Sequence, residues 1–226
     1  MTISKTVRTP VDQQIPRIMS EMQAAADQLK EIGWGVSVFG SARLKSDSPY
    51  YVLAQAIGAR LAKAGLTVIA GGGPGIMEAV NKGAYEAGGK SVGLNIRLPH
   101  ETTNNPYQTH SLHFDYFTSR KATFFMHSAA YIVLPGGFGT LDELFEVITL
   151  VQTRKLPPAP IVLMGTSYWA GLIEWIREQL LGNKLIAPHD PDLLTVSDNI
   201  DAVMSLIEAF CTDYAEQFDG VPALPE

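Results

Sequence analysis

The chain has 226 residues, 46% apolar and 18% charged, which fits one globular α/β domain with room for a sizeable core. Lys and Arg number 17 against 23 Asp and Glu, a net charge of -6 that excludes an affinity resting on general polyphosphate neutralisation, as in nucleic-acid binding, and permits only a local basic pocket. The single cysteine, Cys211, excludes an intrachain disulfide, and no apolar run nears the ~20 residues of a membrane span.

Residues 1–16 read as a polar leader without the apolar core of a signal peptide, so a cytoplasmic protein is expected. Over residues 18–32, Met19, Met22, Ala26 and Leu29 recur at spacings of three and four, which predicts a helix. The valine-rich run 34–39 predicts a first buried strand, ending in the turn Gly40-Ser41-Ala42-Arg43. A helix follows over 49–64, with Leu53, Ile57 and Leu61 on one stripe and Gly65 as its stop. A second strand, 66–70, runs into Gly71-Gly72-Gly73-Pro74-Gly75 and a helix over 76–87. After a third strand at 91–94, the polar stretch 97–113 predicts a loop or flap, and 114–117 a short strand.

The pattern continues with a helix over 119–129, a strand over 130–134, a helix over 140–152, a strand over 160–164 and a helix over 168–181. A last helix spans 200–211, before a tail, 212–226, expected to be weakly ordered. Short strands alternating with helices specify a Rossmann-like, doubly wound parallel sheet with helices on both faces, here one domain over residues 17–211. Ligands of such sheets sit where the carboxyl ends of the strands turn into helices. Both glycine-rich segments lie at such turns.

Pro135-Gly136-Gly137-Phe138-Gly139-Thr140 joins the strand ending Ile132-Val133-Leu134 to a helix whose Leu141, Leu144, Phe145 and Ile148 form an apolar stripe. Glycines let the backbone approach a ligand, and the helix start adds unpaired N–H groups and partial positive charge, together a phosphate site. The competing reading is a plain tight turn in which Thr140 and Glu143 form a capping box. Two rival phosphate motifs fail. Ala84 through Ser91 resembles a Walker A loop but runs from helix into strand, and Gly71 to Ile76 does not complete G-x-G-x-x-G. The strand ending at Leu94-Asn95 also lacks the acid that would hold a dinucleotide ribose.

Ser119-Arg120-Lys121 places two cations in a first helical turn, against the dipole, where a bound anion or acidic partner would compensate them. Otherwise they are solvated surface cations. Glu143 either caps its helix or reaches a sugar hydroxyl or water beside the phosphate, and Glu78 holds a comparable place after Gly75. His110 and His113 stand in a predicted loop without a zinc-helix pattern, so neither a metal nor a cofactor is expected.

Taken in order, Phe39-Gly40-Ser41-Ala42-Arg43, Gly71 through Glu78, Ser119-Arg120-Lys121 and Pro135 through Glu143 resemble the motifs of the LONELY GUY (LOG) family, over roughly residues 34–154. The resemblance implies a Rossmann-type homodimer that hydrolyses the N-glycosidic bond of a purine riboside 5′-monophosphate, of cytokinin type or AMP, to free base and ribose 5-phosphate. It implies Arg120 and Glu143 as the catalytic pair and Gly136, Gly137, Gly139 and Thr140 as the phosphate loop. Ser41, Glu78 and Lys121 would line the pocket. Many relatives carry the label lysine decarboxylase, which nothing in these residues supports. The chain departs from the family at Phe39, where a cysteine is usual, and at Asn95-Ile96, Leu98-Pro99-His100-Glu101 and Asn105-Pro106-Tyr107, which replace a compact Ile-Pro turn. The alternative is a non-catalytic nucleotide- or molybdenum-cofactor-binding protein on the same scaffold.

Overall fold

The computed structural model describes residues 10–98 and 104–217. Seven strands, β1 (Gly35–Phe39), β2 (Thr67–Ala70), β3 (Ser91–Ile96), β4 (His110–Phe114), β5 (Ala130–Val133), β6 (Ile161–Leu163) and β7 (Leu194–Val196), form one sheet in the order β4-β3-β2-β1-β5-β6-β7. Every neighbouring pair is parallel. The order grows outward in both directions from the β1–β5 pair, so the turns leaving these two strands diverge and open a crevice between them.

Both faces of the sheet are covered, as near-continuous burial of β1, β2 and β5 requires. Helices α2 (Pro49–Lys63), α3 (Ile76–Glu86) and α7 (Ile200–Gln217) pack on the face carrying Val36, Val38, Val68 and Ile132. Helices α1 (Val11–Leu29), α4 (Phe117–Met126), α5 (Phe138–Gln152) and α6 (Thr166–Trp175) pack on the face carrying Phe39, Ile69, Tyr131 and Val133. The period-two alternation along each strand sorts its side chains between the two cores. No helix among the described residues is long and apolar enough to cross a membrane.

Several boundaries differ from the sequence reading. Helix α1 begins at Val11, so residues 11–16 belong to it rather than to a leader, and Pro16 lies inside it. A proline there sacrifices one N–H bond, and burial of Ala25 and Leu29 against the sheet outweighs that loss. Residues 1–9 and 99–103 of the expected leader and flap lie outside the described residues. The expected loop 97–113 ends in an edge strand, β4, whose Leu112 and Phe114 are buried between exposed polar neighbours. Helix α4 then starts at Phe117, where a strand end was expected. Helix α7 runs through Gln217 rather than ending at Cys211, because Tyr214 packs edge-on against Trp34 at 5.9 Å, a contact from the other end of the chain. The tail beyond Gln217 lies outside the described residues.

Candidate active site

The loops leaving β1, β2 and β5 are bonded to one another. The Ser41 N–H donates to Pro135 O at 3.0 Å, and the Ile76 N–H donates to Ser41 O at 3.0 Å. Gly75 takes a positive φ of 69° against that same Ser41 carbonyl, and a Cβ there would strike it. Tyr168 reaches back from α6 to donate to Gly136 O at 2.5 Å. The result is a cavity of about 720 Å³ over the crevice, lined by Ser41, Arg120, Lys121, Gly137, Gly139, Thr140 and Glu143 among others. A second cavity of about 620 Å³ opens at the opposite, amino-terminal edge of the sheet, between Leu29, Phe125 and Tyr214. It lacks the glycine turns and helix starts that gather at the carboxyl edge.

Helix α5 starts on Gly137 as N-cap with no side-chain cap bond, which overturns the capping-box reading of Thr140 and Glu143. Thr140 sits inside the first turn, buried, where a Cβ on Gly136 would collide with it. Gly136 is therefore explained by the protein's own packing and stays behind the cavity wall. Gly137 and Gly139 are not. Neither takes a positive φ, and a Cβ on either would meet no atom within 4 Å. What their missing side chains leave is open approach to the first-turn amides of α5, which no helical carbonyl can satisfy.

Arg120 is no surface cation: it is 7% exposed. Its Nε–H donates to Leu94 O at 2.6 Å and an Nη2–H to Gly71 O at 3.1 Å, while the guanidinium lies 5.5 Å from the Phe124 ring. Leu94 lies in β3 just past the last β2–β3 pair, Ala70–Gly93, and Gly71 follows β2, so the end of the β2–β3 ladder holds the charge. A Cβ on Gly71 would collide with the guanidinium, which accounts for glycine there. Lys121 finds the acidic partner the sequence asked for, twice: Asp142 at 2.8 Å and Glu146. Burial works against its charge, yet the bonds to Asp142 and Glu146 outweigh that and hold its pKa above the ordinary lysine value.

Glu143 is half-buried between these cations. Burial pushes its carboxyl from 4.5 up to about 7, against the pull of Arg120 and Lys121. The expected apolar stripe of α5 is rotated: Thr140, Leu144, Val147 and Val151 face the core, while Leu141, Phe145 and Ile148 remain partly exposed. Glu78 does not line the cavity. Its Oε1 accepts from the Tyr51 hydroxyl at 2.8 Å and ties α3 to α2. Helix periodicity turns the residue one position after Met77, which does line the cavity, toward the neighbouring helix.

Sequence reasoning missed a buried set of amides. Asn95 Nδ2 donates to Gln108 Oε1 at 3.0 Å, Asn105 Nδ2 to Gly73 O at 3.0 Å, and Gln108 Nε2 to Gly72 O at 3.0 Å. They clamp the segment before β4 onto the glycine turn after β2, which brings Asn104 to the cavity. Four amides, Asn95, Asn104, Asn105 and Gln108, within fourteen residues were the available signal. Among the described residues no group of three or more His, Cys, Asp or Glu is placed to hold a metal ion.

The family model described as possible lysine decarboxylase matches residues 77–207. The chain is 35% identical over 183 residues to a probable cytokinin riboside 5′-monophosphate phosphoribohydrolase, LOGL5, of Oryza sativa subsp. japonica, covering 77% of this chain and 72% of that protein. It is 32% identical over 174 residues to a cytokinin riboside 5′-monophosphate phosphoribohydrolase of Mycobacterium tuberculosis, covering 74% and 89%. The X-ray structure of TM1055, a structural genomics target, superposes with a TM-score of 0.60 at 25% identity, over 78% of this chain and 99% of that one. The molybdenum cofactor carrier protein of Chlamydomonas reinhardtii superposes at 0.57 and 20% identity over 78% and 99%, a likeness of fold alone.

Two outcomes test this geometry. Gly71→Ala displaces the Arg120 guanidinium, and the fold loses roughly 1–3 kcal/mol, read as a lower Tm, because a buried charge is separated from an acceptor; an unchanged Tm would show that the site yields freely. The Glu143 carboxyl, raised in the folded chain, favours folding below its unfolded pKa, and that advantage is lost as pH rises through about 7. The Tm of Glu143→Gln relative to wild type should therefore climb between pH 4.5 and about 7 and level off above, whereas a pH-independent difference contradicts the burial.

Proposed function

The chain belongs to the LOG family, whose model is described as possible lysine decarboxylase, and on that footing we propose that it hydrolyses the N-glycosidic bond of a purine riboside 5′-monophosphate, of cytokinin type or AMP. Carrying this reading is one observation: Arg120 and Glu143 line the same cavity as the two glycines, Gly137 and Gly139, that neither packing nor backbone conformation requires. The 5′-phosphate docks on the first-turn amides of α5, and the ribose then lies within reach of Glu143, on the next turn of that helix. Met77, Ile96, Leu98 and Phe117 offer the base an apolar wall.

In the reaction a water oxygen bonds to C1′ as the C1′–N bond breaks, and the base leaves with its electron pair and a proton. Positive charge grows on the ribose ring, which the ionised Glu143 stabilises. Its carboxyl, titrating near neutrality, takes the proton of the attacking water and returns one to the departing base. Arg120, fixed by two carbonyls, presents its guanidinium at the cavity without reorganising.

The residues do not fit pyridoxal-type decarboxylation. Among the described residues Lys121 is the one lysine on the cavity wall, and its carboxylate partners keep it protonated, the reverse of what an imine-forming amine needs. A non-catalytic carrier, on the scaffold shared with the molybdenum cofactor carrier protein, is the second reading, and the Arg120–Glu143 pair favours the hydrolase over it.

We further propose a homodimer through the outward side of α5, where Leu141, Phe145 and Ile148 stand partly exposed beside Phe138, itself 93% exposed.

Incubated with AMP or isopentenyladenosine monophosphate, the wild type should release free base, detected by chromatography, and Glu143→Gln should lose about 10²-fold or more in kcat while still binding nucleotide. Binding without cleavage by the wild type would favour the carrier instead. By light scattering the wild type should run as a dimer and Phe145→Asp as a monomer; a monomeric wild type defeats the interface.

A further inference from the structure

Arg120 stands in the first turn of α4, whose N-cap, Tyr116, supplies no side-chain bond. A carboxylate from α1, nearly a hundred residues away, instead ties the residue before that N-cap to Ser119 in the first turn. Glu21 Oε1 accepts the Asp115 N–H at 2.7 Å, and Oε2 is bonded to the Ser119 hydroxyl. We propose that Glu21 is a positioning residue for Arg120, its carboxylate fixing the turn of α4 from which the guanidinium enters the cavity.

Three observations converge on this role. First, Arg120 and Lys121 oppose the dipole of α4, and a carboxylate at the same terminus restores the favourable sign there. Second, there is little slack between the contact and the site: Ser119 is wholly buried and the adjacent Arg120 nearly so. A shift of that turn must therefore pull Arg120 against the 2.6 Å bond to Leu94 O. Third, Asp115, whose N–H Glu21 holds, pairs through its carboxylate with Arg97 at 2.9 Å, at the exit of β3, and the Arg97 N–H donates to Phe114 O at 2.9 Å. The strand that supplies Leu94 O and the helix that supplies Arg120 are thus pinned to each other by the residue that Glu21 holds. Helix α1 lies outside residues 77–207, the part matched by the family model, so this support is furnished by the chain's own amino-terminal segment.

The phosphate turn belongs to β5 and α5, and none of the Glu21 bonds touches it. Positioning through Glu21 should therefore act on the chemical step and spare phosphate binding. The expected rate effect rests on the hydrolase reading; the geometry of Arg120 does not. A second anchor of the same amino-terminal segment, the 2.7 Å bond from Lys90 Nζ to Glu31 O just beyond α1, provides a control that loosens α1 without touching α4.

In the full-length protein, Glu21→Ala should lower kcat for nucleoside monophosphate cleavage about tenfold or more with KM changed less than about twofold. Glu21→Gln, which keeps an acceptor oxygen, should recover part of the loss, and Lys90→Ala should lower Tm while leaving kcat as in the wild type. A loss of Tm in Glu21→Ala with unchanged kcat would reduce Glu21 to an anchor of α1 and overturn the proposal. Hydrogen exchange of the Arg120 Nε–H, followed by nitrogen-15 NMR, gives a readout independent of turnover. The proposal expects it to accelerate at least tenfold in Glu21→Ala and to stay slow in Lys90→Ala. If the wild type cleaves no nucleotide, the hydrolase reading falls and this exchange rate alone decides, an unchanged rate refuting the positioning role.

Discussion

A guanidinium buried at the end of a parallel sheet needs acceptors, and the structure finds them in the carbonyls of Leu94 and Gly71. The end of the β2–β3 ladder is a natural source, because that pairing stops at Ala70–Gly93 and the next carbonyls turn free of their neighbours. That single requirement explains several separate features. Gly71 must lack a side chain, α4 must begin close beside β3, and the approach of α4 must be held from outside, by Glu21. The charge on Arg120 then faces a cavity that Glu143 also lines, its carboxyl strongly shifted by burial.

Around that fixed cation the remaining charges are arranged unequally. Lys121, one residue along, is neutralised by Asp142 and Glu146, so it lends structure to the α4–α5 contact rather than reactivity. Glu143, between those two acids in sequence, carries the cost of burial as a raised pKa. Adjacent residues on one helix thus serve different ends, and the difference comes from what α4 sets opposite them. The glycines divide in the same way. Gly71, Gly75 and Gly136 are required by neighbouring atoms, whereas Gly137 and Gly139 border open space, which is what marks the turn as a place for a ligand.

Much of this was legible beforehand. Alternation of short apolar runs with amphipathic helices gave the parallel sheet, and the order Arg120, then Pro135 through Glu143, gave several residues of the cavity wall. Local patterns misled where a distant contact intervened. Glu78 looked equivalent to Glu143, yet the Tyr51 hydroxyl, 27 residues earlier, claims it. The Thr140 and Glu143 spacing looked like a cap, yet the N-cap lies three residues sooner, at Gly137, and α7 outlasts its expected end because Trp34 lies beneath Tyr214.

By itself, then, the sequence determined most elements, though not the edge strands β4 and β7, and it determined the parallel arrangement and the residue types at the turns, since these follow from periodicity and from the backbone freedom of glycine. Only the tertiary structure decided which carboxylates enter the cavity, which cations stay available and what holds them. Those outcomes depend on burial and on partners many tens of residues apart, as Glu21 on the turn of α4 shows, and no local spacing records them.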